Sequence, residues 1–274
     1  LYQNAYEAGS YLEKLEVSQG GGAWDATVRK GTDILSLTVD GQNAERVIDN
    51  TVMRVAMPQP LPPGGRATFE YTFRTHWANG YRRMKLYNVW GYKHFDGTHW
   101  YPRISVYDKQ QGWDTYQHLG NELYGDFGTF DVELNMHNNM VVEATGWLQN
   151  PDEVMPAELR AKLDIRNFKD KPWNEAPSDL IPYDASVRKT WKFHAENVHD
   201  FAFTADPTYR IGEAEWNGVK CIAVAEEPHA SKWQNAAEYC AKVIRSHSGN
   251  FGMYAYPKMV VADAYDGMEY PMLT

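Results

Sequence analysis

Apolar and polar residues alternate with period two along much of the first 150 positions, which predicts half-buried strands. Leu35, Leu37 and Val39 alternate with Ser36 and Thr38 before an Asp40-Gly41 turn. Met53, Val55 and Met57 repeat the pattern, and Pro58, Pro60, Pro62 and Pro63 with Gly64-Gly65 then stop it. The clearest strand places Ala67, Phe69, Tyr71 and Phe73 on one face and Thr68, Glu70, Thr72 and Arg74 on the other. Phe130, Val132, Leu134 and Met136 form another, followed by a break at His137-Asn138-Asn139 and an apolar run from Met140. Many short strands between turn signals predict antiparallel sheets packed as a sandwich.

Residues 151–187 lose this pattern. They are rich in proline and charge and carry one helical phrase, Ala157 to Leu163, so a long, partly ordered surface loop is expected. Alternation resumes at Trp191, Phe193 and Ala195. A short strand, Phe201-Ala202-Phe203, precedes a turn at Asp206-Pro207. From residue 196 the character changes to mixed α/β. A buried strand spans Gly218 to Ala225. A helix follows, with Ser231 and Gln234 spaced as a capping box and Gly249 as its stop. Trp233, Ala236, Ala237, Cys240, Val243 and Ile244 fall on one face of it. Met259-Val260-Val261-Ala262 is the next strand. The expected division is a β-rich domain over 1–195 and the beginning of an α/β domain over 196–274.

Composition narrows the function classes. Net charge is −9, and no basic cluster interrupts it, which argues against nucleic-acid binding. No apolar run approaches the roughly 18 residues of a membrane-spanning helix. Cys221 and Cys240 are too few for a disulfide framework and are expected as two buried thiols. Aromatic residues make up 14%, enough to admit a carbohydrate-binding surface as well as an aromatic core.

Candidate chemistry gathers at the end of the chain, Tyr265-Asp266-Gly267-Met268-Glu269-Tyr270-Pro271-Met272. A carboxylate among Met, Tyr and Pro is costly unless a cation meets it. On spacing alone, pairing with a nearby Arg or Lys is the ordinary reading of Glu269, and Gly267 reads as a turn glycine. The histidine pairs His94/His99 and His194/His199 are five apart. On a strand that spacing puts the rings on opposite faces, so neither pair is expected to hold a metal. Asp108 is expected to tie a turn.

Gly267-Met268-Glu269-Tyr270-Pro271-Met272 resembles the Gly-x-Met-Glu-Asn segment of the aminopeptidase N type zinc metallopeptidases. Trp100-Tyr101-Pro102-Arg103 is similar to the version carried by a bacterial subgroup of that family. Tyr124 to Val132, Ala144-Thr145-Gly146, Leu148 to Pro151 and Trp191 to Ala202 resemble further subgroup phrases, in the same order. Three positions depart from the pattern. Asp266 stands for the first motif Gly, Tyr270 for Asn, and His99 where Gln is frequent. A neutral imidazole accepts a hydrogen bond from an ammonium, whereas a protonated one repels it.

The resemblance implies an antiparallel, β-sandwich-like N-terminal domain followed by the start of a thermolysin-like catalytic domain. It implies hydrolysis of amino-terminal peptide bonds with zinc as cofactor. Glu269 would bind the free amino end, Gly267 and Met268 would pair with the peptide backbone, and His99 would assist. The family's His-Glu-x-x-His zinc motif is absent, since no His-Glu pair occurs in the chain. This implies a front part of such an enzyme, inactive without the zinc-binding helices. Its partners would be a peptide with a free N-terminus and the remainder of its own polypeptide. Export to a periplasm or cell surface is implied by analogy. Two other readings stand beside it: a non-catalytic β-sandwich binding module, and a zinc-less scaffold relative.

Overall fold

The computed structural model describes residues 1–77, 84–120, 124–172 and 174–264. The chain gathers into two units, Leu1–Lys85 with His99–Asp126, and Leu86–Thr98 with Phe127–Thr274. Among the described residues no helix is long and apolar enough to cross a membrane.

In the first unit, α1 (Tyr11–Ser18) starts at Ser10, whose hydroxyl accepts from the Glu13 backbone N–H. That contact satisfies one of the free donors of a helix start. Strand β1 (Thr32–Val39) pairs antiparallel with β2 (Phe69–Thr75), and β2 keeps the alternation its sequence predicts. β1 does not. Its register shifts between Ile34 and Ser36, so Leu35 turns outward at 54% exposure and Ile34 turns inward at 9%. A β-bulge sets two residues against one and reverses the facing of everything before it. Truncation reads this out. Ile34→Ala is expected to cost about 2–4 kcal/mol in urea denaturation, and Leu35→Ser less than about 0.5 kcal/mol. Equal losses would contradict the bulge.

Among the described residues the second unit has three sheets. In the first, β3 (Tyr92–Gly97) lies between Lys85–Val89 and a later strand, β7 (Phe203–Asp206). In the second, β4 (Gly128–His137) pairs with β6 (Arg188–Val198). Strand β5 (Val141–Ala144), buried throughout, joins β7 in the first sheet. Leu134, Trp191, Phe193 and Phe201 are all buried, and the Phe193 and Phe201 rings meet edge to face. Each such side chain contributes roughly 1.5–3 kcal/mol of apolar burial. The boundary expected at 195/196 falls inside β6, where Ala195 pairs with Phe130 and Val198 with Gly128.

The third sheet orders β8 (Tyr209–Trp216), β9 (Val219–Glu226) and β10 (Lys258–Ala262). β9 and β10 are parallel, which requires a crossover. The crossover helix is broken in two, Ala230–Trp233 and Ala236–Phe251. The expected capping box does not form, because Ser231 N–H donates to Asp170 and the Gln234 amide donates to the Phe168 carbonyl. The stop is not Gly249 but Gly252, whose φ of +115° ends the helix. Cys240, Ala241 and Ile244 pack on Val219 and Cys221, Ala237 is buried as well, and Val243 is 40% exposed. Both thiols are free and buried, and burial pushes Cys240 up to about 12.

Part of the expected loop over 151–187 is packed structure. The helical phrase forms over Ala157–Lys162, and Val154, Met155, Leu163 and Ile165 beside it are buried. Leu163 lies where its backbone carbonyl accepts from Ile211 N–H of β8, so tertiary pairing orders what local sequence leaves open.

Candidate functional site

The parallel strands β9 and β10 end side by side. Asp263, the residue after β10, donates its N–H to the Val224 carbonyl and accepts the Glu226 N–H on its carboxylate. The His229 ring meets the same carboxylate oxygen at 2.6 Å, and Tyr209 Oη donates to the Asp263 carbonyl at 2.9 Å. The carboxylate raises the His229 pKa, and burial only partly offsets it. The chain therefore leaves β10 from a strand end held by four contacts. Residues 265–274 continue from there, so Gly267, Met268 and Glu269 lie outside the described residues. Among the described residues β10 has a strand on one side only, β9.

Beneath this strand end lies a buried ion network. Arg210 and Glu227 are both fully buried, and the Arg210 Nε donates to Glu227 at 2.9 Å. The guanidinium also donates to the Tyr209 and Ser178 carbonyls and stacks 4.7 Å over Phe168. The second Glu227 oxygen accepts from Ser178 N–H and Oγ and from Lys171. Burial opposes the Glu227 charge, but Lys171, Arg210 and Ser178 outweigh it and hold the carboxyl below its ordinary value. This network ties Lys171 and Ser178 to Glu227, and Ser178 to Arg210 of β8.

His99 belongs to the first unit. It is buried, with a φ of +50°, and its ring lies 4.6 Å from that of Tyr2. The Gln3 amide donates to its carbonyl. Tyr71 and Thr75 of β2 hold the following segment by donating to the Pro102 and Trp100 carbonyls. The His99 ring lines a cavity of about 390 Å³ together with Tyr2, Thr51, Tyr101, Arg103 and Gln117.

The remaining sequence candidates resolve simply. Asp108 ties a turn, accepting from the Gln110 and Gln111 N–H groups. His194 is half exposed and pairs across the ladder with Asp131, and His199 meets the Phe127 ring. On the Tyr107–Trp113 hairpin the two exposed rings meet at 67°, not as a coplanar platform for sugar rings. The chain has no His-Glu pair, so the helical ligands of the zinc implied by the resemblance are not among its residues. Pattern reading missed one group of metal-ligand composition, His94, Asp206 and Glu226, whose ligand atoms lie within 4.8 Å of one another. Its members come from three strands, so no local spacing announces it.

No family model matches the chain, and no curated protein matches it in sequence. Solved structures match in fold. A two-domain M1 zinc metallopeptidase mutant bound to L-arginine superposes with a TM-score of 0.50 at 15% identity, over 85% of this chain and 46% of that one. An M1 zinc metallopeptidase from Deinococcus radiodurans gives 0.50 at 14% identity over the same shares, 85% and 46%. Legionella pneumophila aminopeptidase A in complex with aspartic acid gives 0.46 at 10% identity, over 85% of this chain and 23% of that one. The chain thus has the mainly antiparallel β fold found in M1 zinc metallopeptidases, with the N-terminal domain matched. It spans about half the length (46%) of the metallopeptidase chains it matches at 0.50.

Proposed function

We propose that this chain is the front part of an aminopeptidase N type zinc metallopeptidase, and that it supplies the strand that holds the substrate's free amino end. The observation that carries this reading is the agreement of two independent lines. The sequence phrases from Trp100 to Met272 resemble that family, and the fold likeness to M1 metallopeptidases extends over 85% of the chain. In this reading residues 1–195 form the β-rich domain and residues 196–274 begin the catalytic domain.

Each residue has a role set by its chemistry. Glu269 accepts hydrogen bonds from the substrate ammonium and opposes its charge. Gly267 and Met268 offer main-chain N–H and C=O groups to the peptide as an added strand. The single strand neighbour of β10 among the described residues suits that mode, because an unpaired sheet edge is what a peptide strand adds to. The resemblance assigns His99 to assist Glu269. Zinc, bound by residues outside this chain's sequence, would supply Lewis-acid polarisation of the scissile carbonyl.

The test is selectivity for the amino end. In a polypeptide that also carries the zinc motif, peptides with a free N-terminus are expected to be cleaved and their N-acetylated counterparts to be left intact. Equal turnover of the two would overturn the amine anchor, and no turnover of either, with zinc bound, would overturn the peptidase reading.

A further inference from the structure

We propose that His94, Asp206 and Glu226 form a binding site for a divalent transition-metal cation of the zinc class. The three residues come from β3, β7 and β9 of the second unit, and all are at least 97% buried. The antiparallel register of β3 and β7 pairs Gly97 with Phe203 and Phe95 with Ala205. One further step brings Asp206 opposite His94. Glu226 closes the group from the end of β9, opposite Tyr209.

The geometry suits a metal better than a hydrogen bond alone. His94 Nδ1 lies 3.1 Å from an Asp206 oxygen and 3.7 Å from a Glu226 oxygen. A donated proton serves the first of these, while 3.7 Å is beyond hydrogen-bond range. Tetrahedral zinc, with bonds of about 2.0–2.1 Å to nitrogen and oxygen, sets its ligands about 3.3–3.4 Å apart. The two observed separations bracket that value, and both converge on the same ring nitrogen.

The surroundings orient the ligands as outer-shell partners do. Asp96 Oδ2 lies 3.0 Å from the opposite ring nitrogen, Nε2. Nδ1 faces oxygens of both Asp206 and Glu226, the position that a shared cation would take. Thr204 Oγ1 donates to the other Asp96 oxygen. Thr208 donates its N–H and its hydroxyl to Asp206 Oδ1, which leaves Oδ2 directed at His94. The Tyr209 ring stands edge-on to the imidazole at 5.6 Å. Arg210 and His229, bonded to Glu227 and Asp263, also act electrostatically on Asp206 and Glu226. A divalent cation at Nδ1 replaces the proton shared with Asp206.

Binding must displace that proton, so uptake should tighten with pH by up to about tenfold per unit. The 274-residue chain, stripped with chelator, is titrated with zinc chloride and separately with cobalt chloride between pH 6 and 8. About one zinc per chain is expected, with a visible cobalt absorption band and movement of the His94 ring nitrogens alone in a histidine 15N spectrum. Asp206→Asn and Glu226→Gln should each abolish stoichiometric uptake, and Asp96→Asn should weaken it about 10–100-fold. The absence of zinc uptake at pH 8, or uptake undiminished in the Asp206→Asn/Glu226→Gln variant, would overturn the site. Should the variants fail to fold, the wild-type 15N spectrum decides: zinc moving any other histidine, or none, also overturns it.

Discussion

Glu269→Ala, in a polypeptide carrying the zinc motif, is expected to lower kcat/KM for free-amine peptides by about a thousandfold. A carboxylate and an ammonium about 4 Å apart attract by roughly 4 kcal/mol at an effective dielectric of 20. Each 1.36 kcal/mol is tenfold in rate, so the full interaction corresponds to about three decades. Glu269→Gln keeps the shape and the hydrogen-bond acceptor but removes the charge, and should fall between wild type and alanine. Residual turnover of N-acetylated peptides should not change, because they present no ammonium to lose. In the wild type, kcat/KM should fall as pH rises through the substrate amine's pKa, near 8. The ratio of free-amine to blocked turnover reads the result, and a change below about threefold would remove Glu269 from the anchor role.

Arg210→Met is expected to destabilise the fold by about 3–5 kcal/mol, because it leaves Glu227 charged and fully buried. Lys171 and Ser178 still reach that carboxylate, which places the effect toward the lower end. Arg210→Met/Glu227→Gln removes both charges and should recover at least half of the loss. The pair also carries a pH signature. The folded Glu227 pKa lies below its ordinary value of 4.5, so the stabilisation is present above the unfolded value. It fades as pH falls through the lower folded value. Urea midpoints from pH 3 to 7 should therefore drop more steeply in acid for wild type than for the double variant. Parallel curves would show that the network contributes nothing to acid stability.

Strands with clean alternation were legible residue by residue. Phe69, Tyr71 and Phe73 face one way in β2, and Trp191, Phe193 and Ala195 are buried in β6, as their period predicts. Period-two reading assumes an unbroken pleat, and it fails at Leu35 because the bulge inserts a residue that only the partner strand reveals. The helix phase was legible too, but its cap was not. Ser231 and Gln234 have capping-box spacing, yet Asp170 and Phe168, more than 60 residues away in sequence, take their contacts. Long-range partners outcompete local ones when burial brings them closer.

The candidate site divides in the same manner. The Gly-Met-Glu phrase is contiguous, so the sequence by itself determined which residues to propose for the amine anchor. It also determined the mainly antiparallel β character and the strand, helix, strand succession of the mixed α/β segment. Only the tertiary structure decided which way β1 faces and where its helices break. It alone joined Arg210 to Glu227 and set His94, Asp96, Asp206 and Glu226 around one buried point. His94 and Asp96 share β3, whereas Asp206 and Glu226 lie on two other strands, up to 132 positions apart between His94 and Glu226. Chain periodicity describes neighbours within one element, whereas a charge cluster depends on how sheets stack, and that is settled by burial of the apolar faces between them.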